Sequence, residues 1–122
     1  MKVCIIGAGK RIHEMYGPVL STLKENVEVC GFWNRNEEKG NLVLQKFGWK
    51  RYPDLDFMIK DCCPDAIIVV VNSSSIKQVV IDCMKYKIPI VMETPVWDFD
   101  IPNKSKDLGV SVYVNEQTPF LF

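Results

Sequence analysis

The sequence predicts a doubly wound α/β fold, a mostly parallel sheet with helices on both faces, in a single domain spanning residues 1–122. Short apolar runs alternate with longer segments of helical periodicity, which is typical of strand–helix–strand units with right-handed crossovers. The first run, at 2–7, leads directly into a glycine-rich turn. Residues 65–71, DAIIVVV, form a continuous apolar run, as expected of a central strand covered on both faces. A chain of 122 residues is long enough to bury its own core.

Six apolar segments are predicted to be strands. They lie at residues 2–7, 27–33, 50–52, 65–71, 88–93 and 109–116. Helical spacing of apolar residues predicts helices between them, at 11–25, 36–46, 53–59 and 76–86. Residues 98–105, DFDIPNKS, carry neither pattern and are predicted to be irregular.

Particular residues mark the helix ends. Asn36 is expected to cap the second helix, and Gly48 is expected to stop it. Pro18 predicts a kink or a late start in the first helix. The apolar side of the second helix is predicted to hold Leu42, Val43 and Phe47.

Composition argues against several function classes. The net charge of zero gives no support to a nucleic acid or an anionic membrane as partner. No apolar run approaches the ~20 residues that a transmembrane helix needs. The five cysteines are odd in number and include no C-x-x-C pair, so we expect reduced, packed thiols in a cytoplasmic protein, and no metal site.

The turn Gly7-Ala8-Gly9 has the residues that a pyrophosphate site needs. It lies where the first strand meets the first helix, and a helix N-terminus offers free N–H groups and a partial positive charge. Gly7 permits a tight turn, and Gly9 allows the backbone to approach phosphates. Ile12 stands where a third glycine is usual, so the helix should either move away from the strand or fill space that glycine leaves empty. The alternative is a glycine turn that binds no nucleotide.

The end of the second strand indicates which nucleotide would bind. A carboxylate there binds the ribose 2′-hydroxyl of NAD, whereas an arginine accommodates the 2′-phosphate of NADP. The sequence has Asn34 and Arg35 at this tip and no carboxylate. Asparagine can hydrogen-bond the ribose or the phosphate, and arginine binds phosphate oxygens bidentately. We therefore expect NADP, with NAD as the second choice. The alternative is that Arg35 is only a solvated surface residue.

The order of motifs resembles the N-terminal nucleotide-binding domain of the Gfo/Idh/MocA oxidoreductases, a Rossmann-type domain. The segments that carry the resemblance are IIGAGKR, GFWNRNEEKG, FGWKRYPDLDFMI, PDAIIVVVNSSS and IPIVMETP. Together they cover essentially the whole chain. The resemblance implies a dinucleotide-binding domain over residues 1–122, with hydride transfer between the nicotinamide and a substrate.

The resemblance also implies roles for single residues, although it assigns no catalytic residue. Glu93-Thr94-Pro95 corresponds to the family's Glu-Lys-Pro signature, whose lysine lies near the nicotinamide and the substrate. Asn115 to Gln117 match the strand end that leads into a second domain. Cofactor contacts are implied for Gly7, Ala8, Gly9, Lys10 and Arg11 at the pyrophosphate turn, for Asn34 and Arg35 at the adenosine ribose, for Asn72 and Ser73 after the fourth strand, and for Glu93 and Thr94.

Two departures from the family bear on activity. Thr94 replaces the signature lysine, and threonine does not titrate in the working range. The family's C-terminal domain, which supplies most substrate contacts and the usual oligomer interface, is absent from these residues. We therefore expect the cofactor-binding part of an oxidoreductase, inactive on its own. Its apolar tail at 118–122 should either fold back on this domain or be covered by the missing domain or a second subunit.

Two alternatives stay open. In the first, the chain is a free-standing module that binds a dinucleotide without catalysis; Thr94 and the missing domain favour it. In the second, the chain is a degenerate fold that serves as an interaction partner; Ile12, in place of the usual third glycine, favours it.

Overall fold

The computed structural model describes residues 1–93 and 100–115, which form one parallel five-stranded sheet with helices on both faces. The strands are Lys2–Ile6 (β1), Glu28–Trp33 (β2), Ala66–Val69 (β3), Ile90–Glu93 (β4) and Val112–Asn115 (β5). Their order in the sheet is β2-β1-β3-β4-β5, and every neighbouring pair is parallel. The predicted doubly wound fold is confirmed.

Five helices connect these strands in the described part of the chain. They are Gly17–Thr22 (α1), which follows a π-helical turn at Ile12–Tyr16, Glu37–Phe47 (α2), Leu55–Cys62 (α3), Ile76–Cys83 (α4), which continues as a 3-10 turn at Met84–Tyr86, and Asp100–Leu108 (α5). None of the described helices is long and apolar enough to cross a membrane.

The sheet separates two apolar cores. On one face, α1 and α2 pack against β1, where Ile5 and Val43 are fully buried. On the other face, α3, α4 and α5 pack against the central strands, and Met58, Ile67 and Val80 are fully buried. Because β1 and β3 are covered on both sides, Val3–Ile6 of β1 and Ala66–Val69 of β3 are all apolar and buried, and both strands end at the same edge of the sheet.

The ends of α2 follow the predicted capping pattern, whereas its apolar side is only partly as predicted. The Asn36 side chain accepts a hydrogen bond of 2.9 Å from the backbone N–H of Lys39, and Gly48 ends the helix with a φ of 71°. Val43 is buried, but Leu42 is 54% exposed, so the prediction that Leu42 belongs to the core is wrong. Leu42 lies one residue, about 100° of helix rotation, from Val43, so it points away from the sheet.

Two segments differ from the sequence prediction. Within 98–105, predicted to be irregular, α5 begins at Asp100 and buries Ile101. Pro102 lies in its first turn, where a helix tolerates proline because the missing N–H would have no partner. The predicted strand at 50–52 is instead one parallel bridge between Arg51 and Phe32.

Ile12 fills the space that a glycine would leave at the start of the first helix. Its side chain is fully buried between the helix and the sheet. The helix widens at this point into a π-helical turn, in which the Gly17 N–H donates to the Ile12 carbonyl five residues back. We attribute the wider turn to the room that the isoleucine needs. Of the two expected outcomes, the structure shows the filled space.

We predict that Ile12→Gly lowers the free energy of unfolding by about 3–5 kcal/mol, because it removes a buried side chain and increases the backbone entropy that the chain loses when the helix forms. Val19→Gly is the matched control, since Val19 is half exposed in α1 and its loss should cost about 1 kcal/mol. Urea denaturation of both variants measures the difference. Equal costs would show that Ile12 contributes no core packing.

Candidate functional site

A cleft of about 420 Å³ opens where the ends of β1, β2 and β3 meet. The chain passes from β1 to β2 on one side and later to β3 on the other, so the cleft lies at the point where the strand order reverses. Such points are where open α/β sheets bind ligands. The residues that line it are Ile6, Gly7, Ala8, Gly9, Lys10, Arg11, Trp33, Asn34, Arg35, Asn36, Lys39, Val70, Val71, Asn72, Ser75 and Val79.

The glycine turn is shaped by the close approach of β1 to the end of β3. Gly7 has a φ of +128°, and a methyl group on it would lie 2.0 Å from the carbonyl oxygen of Val70, so no other residue fits this position. A methyl group on Gly9 would have no atom of the described residues within 4 Å beyond its immediate chain neighbours. The space beside Gly9 is therefore free for a ligand, as the pyrophosphate of a dinucleotide requires.

The charges that line the cleft have one sign. Lys10 and Arg11 lie at the glycine turn, and Arg35 and Lys39 lie at the end of β2 and the start of α2. No described carboxylate is among the lining residues. The cleft therefore suits a ligand with several phosphate groups.

At the β2 end of the cleft, Asn34 turns its oxygen into the protein. Its Nδ2 donates to the carbonyl of Asn36 at 2.5 Å, while its Oδ1 is buried without a hydrogen-bond partner in the described structure. Arg35 and Lys39 are exposed, and neither side chain forms an ion pair with a described residue. Sequence reasoning missed Lys39, although its place three residues after the cap Asn36 puts it at the helix end that faces the turn.

Arg11 makes a contact that the sequence did not predict. Its Nε donates to one carboxylate oxygen of Glu93 at 2.9 Å, and its Nη2 donates to the other at 3.1 Å. This hydrogen bonding raises the pKa of Arg11 further. The pair ties the first turn to the end of β4, across β3, and directs the Arg11 guanidinium toward β4.

The remaining predicted residues are placed as follows. Asn72 lines the cleft, and its Oδ1 accepts hydrogen bonds from the Ser74 hydroxyl at 2.7 Å and the Ser75 N–H at 3.0 Å, which starts α4. Ser73 is exposed and does not line the cleft, and Glu93 reaches the site only through Arg11. Thr94 lies outside the described residues, as do Gln117 and the apolar tail.

A second cavity of about 530 Å³ lies between α3 and α4 and has the opposite character. Asp54, Asp56 and Asp82 line it with one cation, Lys85. Hydrogen bonds from the Tyr86 hydroxyl and from Lys85 lower the pKa of Asp56, so this carboxylate is ionised at neutral pH. A polyphosphate would be repelled here, which leaves the cationic cleft as the better nucleotide site.

The cysteines provide no nucleophile for the cleft. All five are unpaired, and none lines it. Burial, together with the neighbouring Cys62, raises the pKa of Cys30 to about 11, so this thiol stays protonated at neutral pH and is weakly reactive. Within residues 1–93 and 100–115, no three His, Cys, Asp or Glu side chains are placed so that they could hold a metal ion together.

Comparison with known sequences defines the class of protein. Residues 1–107 match the model of the Gfo/Idh/MocA family, described as "Oxidoreductase family, NAD-binding Rossmann fold". The chain therefore belongs to the Gfo/Idh/MocA oxidoreductases and forms their NAD-binding Rossmann domain. No curated protein sequence matches the chain.

Solved structures share the fold. The dehydrogenase WlbA of Chromobacterium violaceum, in complex with NADH and UDP-GlcNAcA, has 15% identity and a TM-score of 0.82 over 94% of this chain and 34% of its own. The dehydrogenase MviM of Clostridium difficile has 17% identity and a TM-score of 0.80, over 94% and 39%. An NAD-binding protein from Listeria innocua has 24% identity and a TM-score of 0.77, over 93% and 34%. The chain thus spans little more than a third of each of these proteins.

We predict that Arg11 and Glu93 stabilise the domain as a pair. A double-mutant cycle with Arg11→Met and Glu93→Gln should give a coupling energy of about 1 kcal/mol, because the bond is bidentate and Glu93 is largely buried. The control is the ion pair of Lys10 and Glu14, in which Nζ of Lys10 lies 3.8 Å from Oε1 of Glu14 and both side chains are well exposed. Their coupling should be close to zero. Equal coupling energies in the two cycles would contradict a special role for Arg11 and Glu93.

Proposed function

We propose that this chain is the NADP(H)-binding domain of an oxidoreductase. In this proposal hydride transfer occurs only together with a substrate domain outside these 122 residues. A bound nicotinamide ring would supply the hydride acceptor or donor. The residues of this chain bind and orient the nucleotide, and no residue among them is assigned to the chemical step.

The observation that carries the preference for NADP(H) is the absence of a carboxylate among the described side chains that line the β2 end of the cleft. The only oxygen on the Asn34 side chain is buried, and the two cations beside it, Arg35 and Lys39, are hydrogen-bond donors. A ribose 2′-hydroxyl is best held by a carboxylate that accepts a hydrogen bond from it, whereas a 2′-phosphate accepts hydrogen bonds and carries negative charge. Donors with positive charge therefore favour the phosphate.

The pyrophosphate would lie at the glycine turn. Gly9 leaves its space open, and Lys10 stands at the same turn with its side chain largely exposed. Arg11 is bonded to Glu93, so in this proposal Lys10 and backbone N–H groups of the turn carry most of the phosphate contacts. The nicotinamide would then extend toward β3 and β4.

We predict that the purified chain binds NADPH more tightly than NADH and that Arg35→Ala weakens NADPH binding by about tenfold or more, because it removes a charge-assisted contact with the 2′-phosphate. Calorimetric titration with both nucleotides measures this. NADH binding should change little, since NADH lacks that phosphate.

Two further variants sharpen this experiment. Lys24→Ala removes an exposed cation in the turn that follows α1 and should leave both affinities unchanged. Asn34→Asp adds a carboxylate at the tip of β2 and should reverse the preference toward NADH. A wild-type chain that binds neither nucleotide would overturn the proposal, and one that prefers NADH would overturn its NADP(H) part.

A free-standing, non-catalytic nucleotide-binding module is the second candidate. It is favoured by Thr94, which replaces the lysine of the family signature, and by the pairing of Glu93 with Arg11, which commits the neighbouring carboxylate to a structural bond.

We predict that the 122-residue chain alone binds NADPH but does not oxidise it. Incubation with a panel of aldehydes, ketones and sugars, followed by NADPH absorbance, measures turnover. Hydride transfer by the isolated chain would contradict the need for a second domain. In a longer native chain, binding without turnover of any substrate would favour the non-catalytic module.

A further inference from the structure

Two buried polar atoms without partners face the same space above Gly40 in α2. They are Oδ1 of Asn34 and Nε of Arg51, and neither has a hydrogen-bond partner in the described structure. A methyl group on Gly40 would lie 2.6 Å from the first atom and 2.4 Å from the second. Only a residue without a side chain leaves room for both. Orphaned buried polar atoms are rare, so two in one space call for a joint explanation.

The two atoms are chemically complementary. Nε of arginine only donates, and Oδ1 of asparagine only accepts. On its other side, Asn34 donates from Nδ2 to the carbonyl of Asn36. Rotating the Asn34 amide by half a turn would bring its NH2 group against the Arg51 N–H and its oxygen against the Asn36 carbonyl. Both neighbours therefore favour this orientation of the amide, Asn36 by accepting a hydrogen bond and Arg51 by the electrostatic attraction of its N–H and its charge for the Asn34 oxygen.

The backbone brings Arg51 to this place although it is distant from Asn34 in sequence. Arg51 forms the parallel bridge with Phe32, two residues before Asn34. On either side of it, the Phe32 N–H donates to the Lys50 carbonyl and the Tyr52 N–H donates to the Phe32 carbonyl, both at 2.9 Å. Residue 51 is thus fixed beside the end of β2.

We propose that Arg51 is a positioning residue that holds Asn34 as a hydrogen-bond donor toward the nucleotide and thereby favours NADPH over NADH, an inference that rests on the proposed function. The Asn34 side-chain NH2 group has two hydrogen atoms. One is donated to the Asn36 carbonyl, and the other is left for a ligand oxygen in the cleft that Asn34 lines. A 2′-phosphate accepts such a bond in addition to that of Arg35. Arg51 also adds a permanent positive charge, which no described carboxylate pairs.

Arg51→Met, Arg51→Lys and Gly40→Ala test the proposal through the ratio of the dissociation constants for NADH and NADPH. Arg51→Met should lower the ratio by about tenfold, the effect of one hydrogen bond made or lost in a charged site. Arg51→Lys keeps the positive charge but has no N–H at the place of the arginine Nε. Its ratio of the two dissociation constants should therefore fall nearly as far as that of Arg51→Met. Gly40→Ala would displace both atoms and should act in the same direction, although alanine is the better helix former.

The control Lys50→Met removes the adjacent cation, which pairs with Asp61 at 3.6 Å, and should not change the ratio. Thermal melting establishes that each variant is folded. An unchanged ratio in folded Arg51→Met, or equal weakening of both nucleotides, would overturn the inference, as would full preference in Arg51→Lys. The wild-type chain and Arg35→Ala test the proposed function separately. If the wild-type chain shows no preference for NADPH, the proposed function fails, whatever the Arg51 variants show. If the wild-type chain prefers NADPH and only the Arg51 result is negative, the inference alone fails.

Discussion

The contact between Gly7 and the carbonyl of Val70 sets the geometry of the cleft. At this point β1 and the end of β3 approach so closely that a side chain on residue 7 would overlap the backbone of residue 70. The chain therefore leaves β1 in a conformation that suits glycine and enters the helix directly over the sheet edge. The free space at Gly9, the position of Lys10 and the reach of Arg11 to β4 all follow from that exit.

Ile12 shows how the same turn accommodates a residue other than the usual glycine. The isoleucine is buried against the sheet, and the helix takes a π-helical turn there. Ile12 is not among the residues that line the cleft, whereas Gly7 and Gly9 are. A departure from a sequence motif can thus alter the core and leave the ligand side intact.

Much of the fold could be predicted because its signals are local. Buried runs such as DAIIVVV identify strands without knowledge of their neighbours, and Asn36 and Gly48 mark helix ends through bonds within a few residues. The helix α5 was missed because its first turn contains Pro102 and only Ile101 within it is buried. The site was harder to predict, since Arg11 and Glu93 are 82 residues apart and Arg51 comes near Asn34 through a backbone bridge between Arg51 and Phe32. Such partners depend on the sheet order, which no local pattern contains.

The two cavities of this neutral chain carry opposite charges, which the net charge of the sequence does not reveal. Lys10, Arg35 and Lys39 gather at one cleft, while Asp54, Asp56 and Asp82 gather at the other, and the indole of Trp33 lines both. With a net charge of zero the molecule has no monopole to attract an anion from a distance. The opposite local charges of the two cavities instead act within about one Debye length, roughly 8 Å at physiological ionic strength. An approaching polyphosphate is therefore oriented only in the last steps of its encounter with the protein, and salt should affect its capture less than it would for a basic domain.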